Sequence, residues 1–360
     1  MSALAPQGPG PSGGRGARGG SPSGGPSGGL GAPARGVLGW VDAHPAPPIV
    51  LAIGAGFTVG ALVPEVGETP DAVPFALIAL AIALTLAGVP LAAVGRTVLD
   101  KRFTSALLLL SVFLGPLLAF VLSRVLIRDP DLQLGLLLLL LAPGVGLIVG
   151  IVRRAGGDAE ALFASAPVLL LVQAVTVPGL LILFTLADDF LALDLSGLPP
   201  VILATIIAPT ALIVTLQLVG ERVGPVRSGL RVATGFTVPA TALAVGTMAA
   251  VFTPRAMERI ELLPAVAPLF GVYLIVMTPL GILVGTAFSL SIGGVRSLTF
   301  AGAARNGLLV LPIAAAFEDG FELVPLVVVL GMAIEVIGLG VYRLLVPSLT
   351  QQSRGAYSRD

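Results

Sequence analysis

The stretch Ser297 to Phe317 reads SLTFAGAARNGLLVLPIAAAF. Both of its ends are apolar enough for a membrane helix. Its middle holds Ala303-Ala304-Arg305-Asn306-Gly307, with Pro312 further on. An arginine at the centre of a bilayer costs at least ~2.5–3.5 kcal/mol on insertion scales. A helix broken by Gly and Pro in mid-membrane frees backbone groups that protein or trapped water must satisfy. Sequences carry that double cost where something polar is bound. A second stretch, Leu134 to Val152, is built the same way around Ala142-Pro143-Gly144-Val145-Gly146. Two interrupted hydrophobic segments at corresponding places in two halves of a chain are the sequence pointer to a midplane binding site.

Composition agrees with a chain that lives in lipid. Of its 360 residues, 56% are hydrophobic and 11% charged, with a mean hydropathy of +1.01. A soluble chain carries about 25% charged residues. The formal net charge of zero points to no particular partner, and no nucleic-acid partner is expected. There is no cysteine, so disulfides, thiolate metal sites and thiol nucleophiles are excluded. The single histidine, His44, lies in a Pro-rich juxtamembrane segment and reads as a solvated linker residue.

Residues 1–36 hold thirteen Gly and six Pro, with Ser and Arg in the gaps. Such a segment buries too little apolar surface to offset its ordering entropy, so a disordered tail is expected there. No apolar run follows the start, so it does not read as a signal peptide. The transmembrane domain is expected over 37–346, followed by a short cytoplasmic tail at 347–360. Within it the pattern predicts ten crossing segments at about 48–63, 74–94, 103–127, 134–152, 161–186, 199–219, 230–251, 264–289, 297–317 and 323–346.

Ten crossings with both termini in the cytoplasm place fifteen basic residues inside: Arg15, Arg18, Arg35, Arg96, Lys101, Arg102, Arg153, Arg154, Arg222, Arg227, Arg231, Arg296, Arg343, Arg354 and Arg359. Only Arg124, Arg128, Arg255 and Arg259 fall outside, a positive-inside bias that an odd number of spans would spoil. The expected location is the cell membrane. A shift of 161 residues carries segments two to five onto seven to ten, Ala142–Gly146 onto Ala303–Gly307, and Asp158 onto Asp319. Five spans per repeat is an odd number. The halves, about 48–187 and 199–346, are therefore expected to sit in the membrane with opposite topology. The fold expected is an all-α membrane protein of ten transmembrane helices in two inverted five-helix repeats, with helices four and nine broken and crossing.

Three polar side chains lie near the centres of their segments: Arg305, Glu335 and Gln173. Gln173 and Glu335 are 162 residues apart, near-equivalents across the repeat. Intramembrane ionisable residues are functional hypotheses by default. One reading is a substrate-binding set of Pro143, Gly144, Arg305, Asn306 and Glu335, with Gln173, Glu335 and Asn306 handling a coupling ion. Glu335 would carry a proton, or with Gln173 and freed carbonyls hold a sodium ion. Half-helix N-termini would aim N–H groups at an anion or polar oxygen. The bland reading is a buried Arg305–Glu335 pair that only locks two helices together. No cofactor beyond a coupling H+ or Na+ is expected, and no catalytic or metal residues. Asp158 and Glu160, after Gly156-Gly157, read as a helix cap, and Asp188, Asp189 and Asp194 as a solvated loop. No Walker, HExxH or GxSxG motif occurs, so no enzyme is expected.

Leu141-Ala142-Pro143-Gly144 through Ala155-Gly156-Gly157-Asp158-Ala159-Glu160 to Gln173 resembles the fourth and fifth helices of arsenite efflux permeases. Thr299-Phe300-Ala301-Gly302-Ala303-Ala304-Arg305-Asn306 resembles their ninth, and Ile334-Glu335-Val336 the acidic motif of their tenth. Those permeases belong to the bile acid:sodium symporter superfamily, whose members have ten helices in two inverted repeats with crossed, broken helices four and nine. The resemblance implies a transport role for Glu335. It spans roughly 48–346, with specific matches confined to these motifs. Where the permeases carry an arginine and a cysteine in helix four, this chain has Pro143 and Gly144. Leu309 stands near the place of an acidic residue of their helix nine. The symporters' Pro-Gly-Gly and Ser-Asn pattern is not kept beyond Pro143-Gly144. Thiolate coordination of arsenite is excluded by composition. The resemblance implies a secondary active transporter that moves a small oxygen-rich solute or anion, by proton-coupled efflux or else by sodium-coupled uptake of an organic anion. A scaffold or sensor on the same fold that has lost transport is the rival. Oligomeric state, substrate and direction stay open.

Overall fold

The computed structural model describes residues 36, 39–41, 44–89, 100–144, 148–185, 197–317 and 320–357. The expected N-terminal tail up to residue 35, Arg96, Val145, Gly146, the acidic residues Asp188, Asp189 and Asp194, Asp319 and Arg359 lie outside the described residues. Among the described residues the chain is all helical, with no strand.

Among the described residues seven helices are long and apolar enough to cross a membrane, which makes this a multi-pass membrane protein. They are α3 (Lys101–Leu126), α6 (Ala159–Thr185), α7 (Leu198–Arg222), α9 (Thr237–Arg255), α10 (Ala267–Ala287, led in by a 3-10 stretch, Met257–Val266), the interrupted pair α11 (Ile292–Ala303) and α12 (Gly307–Ala314), and α13 (Val324–Tyr357). Three further apolar helices are shorter: α1 (Ala46–Leu62), α2 (Ala72–Ala87) and α4 (Pro130–Leu141). Two other pieces are α5 (Ile148–Arg154) and α8 (Gly224–Ala233). At about 1.5 Å per residue, the 17 residues of α1 fall short of a bilayer core of about 30 Å.

Two expected boundaries are corrected. The seventh segment does not begin at 230. Residues 224–233 form the separate helix α8, a 3-10 turn follows at Thr234–Phe236, and the long helix starts only at Thr237. The cause is in the sequence: Arg227 and Arg231 stand one turn apart on a helix whose other stripe is apolar, and Gly235 sits in the turn. At the C-terminus, α13 does not stop at 346 but runs on to Tyr357, carrying Pro347 inside it.

Local signals set several of the starts. Asp100 caps α3 by accepting the N–H groups of Arg102 (2.9 Å) and Phe103 (3.3 Å). Ser291 caps α11 through the N–H of Gly294 (3.0 Å). Asp158 accepts the N–H of Ala161 (2.9 Å) and so caps α6, as its place after two glycines suggested. Such caps are each worth ~1 kcal/mol.

Side-chain ties gather the connections into two ends. At one end Arg255 donates to the Gly67 and Thr69 carbonyls and pairs with Asp71 at 2.7 Å, while Arg259 pairs with Asp131 at 2.7 Å. At the other, Arg296 donates to the carbonyls of Ala155 and Pro347 and to the Thr350 hydroxyl. The Gln217 amide reaches the carbonyls of Leu86 and Val89, and the Thr237 hydroxyl that of Leu84. Helices α9 and α10 each run from one of these ends to the other.

Burial separates the inner helices from the lipid-facing ones. Every residue of α4 from Asp131 to Leu141 is buried. In the α11–α12 span 83% of the most apolar stretch is buried, against 11% in α6. Leucine runs read alike in both settings, so only packing tells them apart. The most extensive packing between two helices joins α1 to α9 through small residues. A Cβ on Gly60 would stand 2.5 Å from the Ala250 carbonyl oxygen and 2.7 Å from Thr253 Cβ. Small residues let backbones approach this closely, and van der Waals packing between helices is what lipid cannot replace.

Gly60→Val is therefore expected to destabilise the detergent-solubilised protein by ~1–3 kcal/mol, the usual range for overpacking. Thermal unfolding, read beside Gly54→Val, should show the loss at position 60 alone, because a Cβ at Gly54 meets nothing within 4 Å.

Candidate functional site

Helix α4 ends where Pro143 and Gly144 follow Ala142, whose backbone is extended (ψ 146°). The next described helix is α5, Ile148–Arg154. Helix α11 ends at Ala303, Ala304 is extended (ψ 143°), and α12 begins at Gly307. The first interruption stands at Pro143-Gly144 and the second just before Gly307, while Pro312 lies inside α12.

The two breaks meet. The N–H of Asn306 donates to the Pro143 carbonyl at 3.0 Å. Gly144 lies so close to the second break that a Cβ there would stand 2.6 Å from the Ala301 carbonyl oxygen and would also strike that of Ala304. Only glycine fits against that backbone. The N–H of Arg305 donates to Glu335 Oε1 at 2.9 Å, from α13. Groups that lost their helical partners at one break are thus satisfied by the other break and by a carboxylate, which is what the membrane interior demands.

Arg305 is buried, 5% exposed. Its guanidinium does not meet the Glu335 carboxylate. It donates to the Tyr273 hydroxyl, from α10, and through Nη1 weakly to the Ala304 carbonyl at 3.4 Å. The guanidinium carbon also stands 5.3 Å from the centre of the Tyr273 ring. A simple locking pair of arginine and glutamate is therefore not what the two residues form. Arg305 Nε has no partner among the described residues, an expensive state for a buried cationic donor.

A cavity of about 50 Å³ opens at this meeting point, lined by Gly144, Ala304, Arg305, Asn306 and Glu335. Ile148 and Ile151 of α5, Ile49 near the start of α1, Thr241 of α9, and Met332, Val336 and Leu339 of α13 complete it. The Thr241 hydroxyl is buried with no partner among the described residues. A second space of about 10 Å³ lies between Tyr273, Arg305, Glu335, Phe270 and Leu139. That is about the room one water needs. Arg305 and Glu335 border both spaces, so they form the partition between them.

Of the expected site residues, Gly144, Arg305, Asn306 and Glu335 come together, and Pro143 contributes its carbonyl to the junction. Gln173 is not brought to this cavity. It is 3% exposed on α6, with its side-chain oxygen buried and without a partner among the described residues, and α6 packs instead against α3, α4, α5 and α11. Repeat symmetry paired Gln173 with Glu335 in depth, but depth does not fix which face of a helix a residue occupies.

Tyr273 and Thr241 were missed. Tyr273 is one of three tyrosines in the chain and lies mid-segment, away from the interfaces where tyrosine is usual in membranes. That placement was a usable signal. Thr241 gave none. The described residues contain no cluster of three or more His, Cys, Asp or Glu suited to a metal.

Two outcomes test the geometry. Gly144→Ala should force the breaks apart and lower stability by ~1–3 kcal/mol, whereas Gly150→Ala, with open space around its Cβ, should be neutral; thermal unfolding reads both. Tyr273→Phe should cost ~1–3 kcal/mol by stranding a buried guanidinium N–H, with the loss absent when Arg305 is also replaced by Met.

Comparison with known proteins assigns no family to this arrangement: no family model matches the chain, and no curated protein matches it.

Proposed function

We propose that the chain is a secondary active transporter that works by alternating access, of the arsenite-permease-like kind within the bile acid:sodium symporter superfamily. In this reading the seven long and three short apolar helices make ten crossings in two inverted repeats. The helix ends at Ala142 and Ala304 are 162 residues apart, within one residue of the 161-residue shift. The gathering of connections at two ends agrees with it.

The observation that carries the reading is the polar junction of two broken helices, with Arg305, Asn306 and Glu335 bordering one cavity. A scaffold has no use for a buried cation with an unpartnered donor and a carboxylate holding a backbone N–H across a gap. The first residues of α12, Gly307 and Leu308, line the same cavity and add a helix N-terminus that favours an anion or a polar oxygen.

Coupling follows from the Glu335–Arg305 contact. The ionised carboxylate accepts the Arg305 N–H. A proton on the carboxyl weakens that bond and loosens the Arg305 and Asn306 donors that hold a solute oxygen, so the solute binds the deprotonated junction. Solute and proton thus compete for one junction, and exchange of one for the other drives efflux of a small oxygen-rich solute or anion. Thiol chemistry plays no part, because Gly144 stands where the resembling permeases carry cysteine and no side chain fits there.

The aliphatic lining from α1, α5 and α13 favours a second reading, sodium-coupled uptake of an organic anion. Its size argues the other way: about 50 Å³ is far below the ~300–1,000 Å³ of sites for drug-sized ligands.

Proteoliposomes decide the matter. Flux of small oxyanions should follow an imposed pH gradient, and Glu335→Gln should reduce it to the level of empty vesicles. A response to a sodium gradient alone would replace the first reading by the second. Full function in Glu335→Gln with no solute bound would favour a scaffold or sensor.

A further inference from the structure

The short helix α8 joins two spans at one end of the bundle. Helix α7 leaves its span at Arg222, and α9 enters the next at Thr237. The Gln217 and Thr237 side chains tie this region to the last turn of α2. The helix lies where chain passes between the apolar interior and water. It is strongly amphipathic. Val226, Leu230 and Ala233 are half-buried on one stripe, while Arg227 and Arg231 stand one turn apart on the exposed stripe. Arg227 bends back to the carbonyls of Gly220 and Glu221 at 3.1 Å each, closing the end of α7. Arg222 and Arg231 are exposed and pair with no carboxylate among the described residues.

The same surface is also apolar. Val232 is 67% exposed, Phe236 47% and Val223 41%. Exposed arginines interleaved with exposed Val and Phe suit neither water nor the hydrocarbon core alone. They suit the boundary between headgroups and acyl chains. Guanidinium groups grip phosphate oxygens in a forked geometry that an ammonium group does not reproduce.

We propose that α8, with Arg222 and Phe236 at its flanks, is an interfacial helix that binds anionic phospholipid in the membrane leaflet on its side. Arg222 and Arg231 take the phosphates, Arg227 holds the α7–α8 corner that presents them, and Val223, Val232 and Phe236 insert among the upper acyl carbons. This surface is distinct from the midplane cavity, so the inference does not depend on the transport reading. Charge complementarity selects the occupant: a basic stripe beside apolar side chains fits a phosphate-bearing amphiphile, whereas a zwitterionic surface offers no net attraction.

The test uses the full chain in nanodiscs of phosphatidylcholine with and without phosphatidylglycerol. Native mass spectrometry should show phosphatidylglycerol retained over phosphatidylcholine by the wild type. The melting temperature should rise with phosphatidylglycerol, and high salt should cut that rise. The double variant Arg222→Gln/Arg231→Gln should lose most of the retention and of the rise, while melting like the wild type in pure phosphatidylcholine. The matching variant at the opposite end, Arg124→Gln/Arg128→Gln, should keep both. Equal retention by the α8 variant, equal loss in the opposite-end variant, or an equal rise from inorganic phosphate or an acidic peptide in phosphatidylcholine discs would each overturn the assignment.

Discussion

The hydrogen bond from the Asn306 N–H to the Pro143 carbonyl is the constraint around which the interior is arranged. A membrane core supplies no water to a broken helix, and an unsatisfied backbone group there costs several kcal/mol. Two breaks that face each other supply the missing partners. That requires their backbones to touch, and touching requires that nothing larger than a hydrogen project from residue 144. The Gly144 contact with the Ala301 and Ala304 carbonyls is therefore the steric side of the same bond. Helices α4, α11 and α13 are buried around this junction because its polar groups must be shielded from lipid.

The arginine next to the junction follows the same logic. Its backbone N–H is taken by Glu335, so its guanidinium has to find a separate acceptor, and α10 supplies the Tyr273 hydroxyl. One residue is thus held from two helices at once. The π-helical stretch Leu109–Leu114 in α3 belongs to this arrangement. It ends at Gly115, whose missing side chain leaves space for the Arg305 guanidinium and the Tyr273 hydroxyl. Insertions of this kind recur at functional sites, where one extra residue re-aims a helix face. Charge at the membrane boundary is handled differently. Arg255, Arg259 and Arg296 each close loops by donating to carbonyls or carboxylates, and Arg227 does the same at the α7–α8 corner, while Arg222 and Arg231 stay exposed.

Much of this was legible in the chain. Pro143-Gly144 and Arg305-Asn306-Gly307 announced both breaks, although Pro167, Pro178 and Pro279 stand inside continuous helices. Asp158 announced a cap. The turn at 234–236 was harder to see, because the apolar stripe of α8 runs on into α9 and hides the change of direction. Gln173 misled for a related reason. Its position along the chain set its depth in the membrane, but its rotation about α6 depends on which neighbours α6 packs against.

By itself the sequence determined the helical class, the residence in lipid and the two interruptions. These depend on local composition: lipid demands apolar runs, and a Pro-Gly pair or a buried charge beside Gly interrupts them. Only the tertiary structure decided that the breaks touch, that Arg305 turns to Tyr273 while its backbone turns to Glu335, and that Thr241 joins the cavity. Those contacts join residues from 30 to about 160 positions apart, and no local preference fixes which face of one helix meets which face of another.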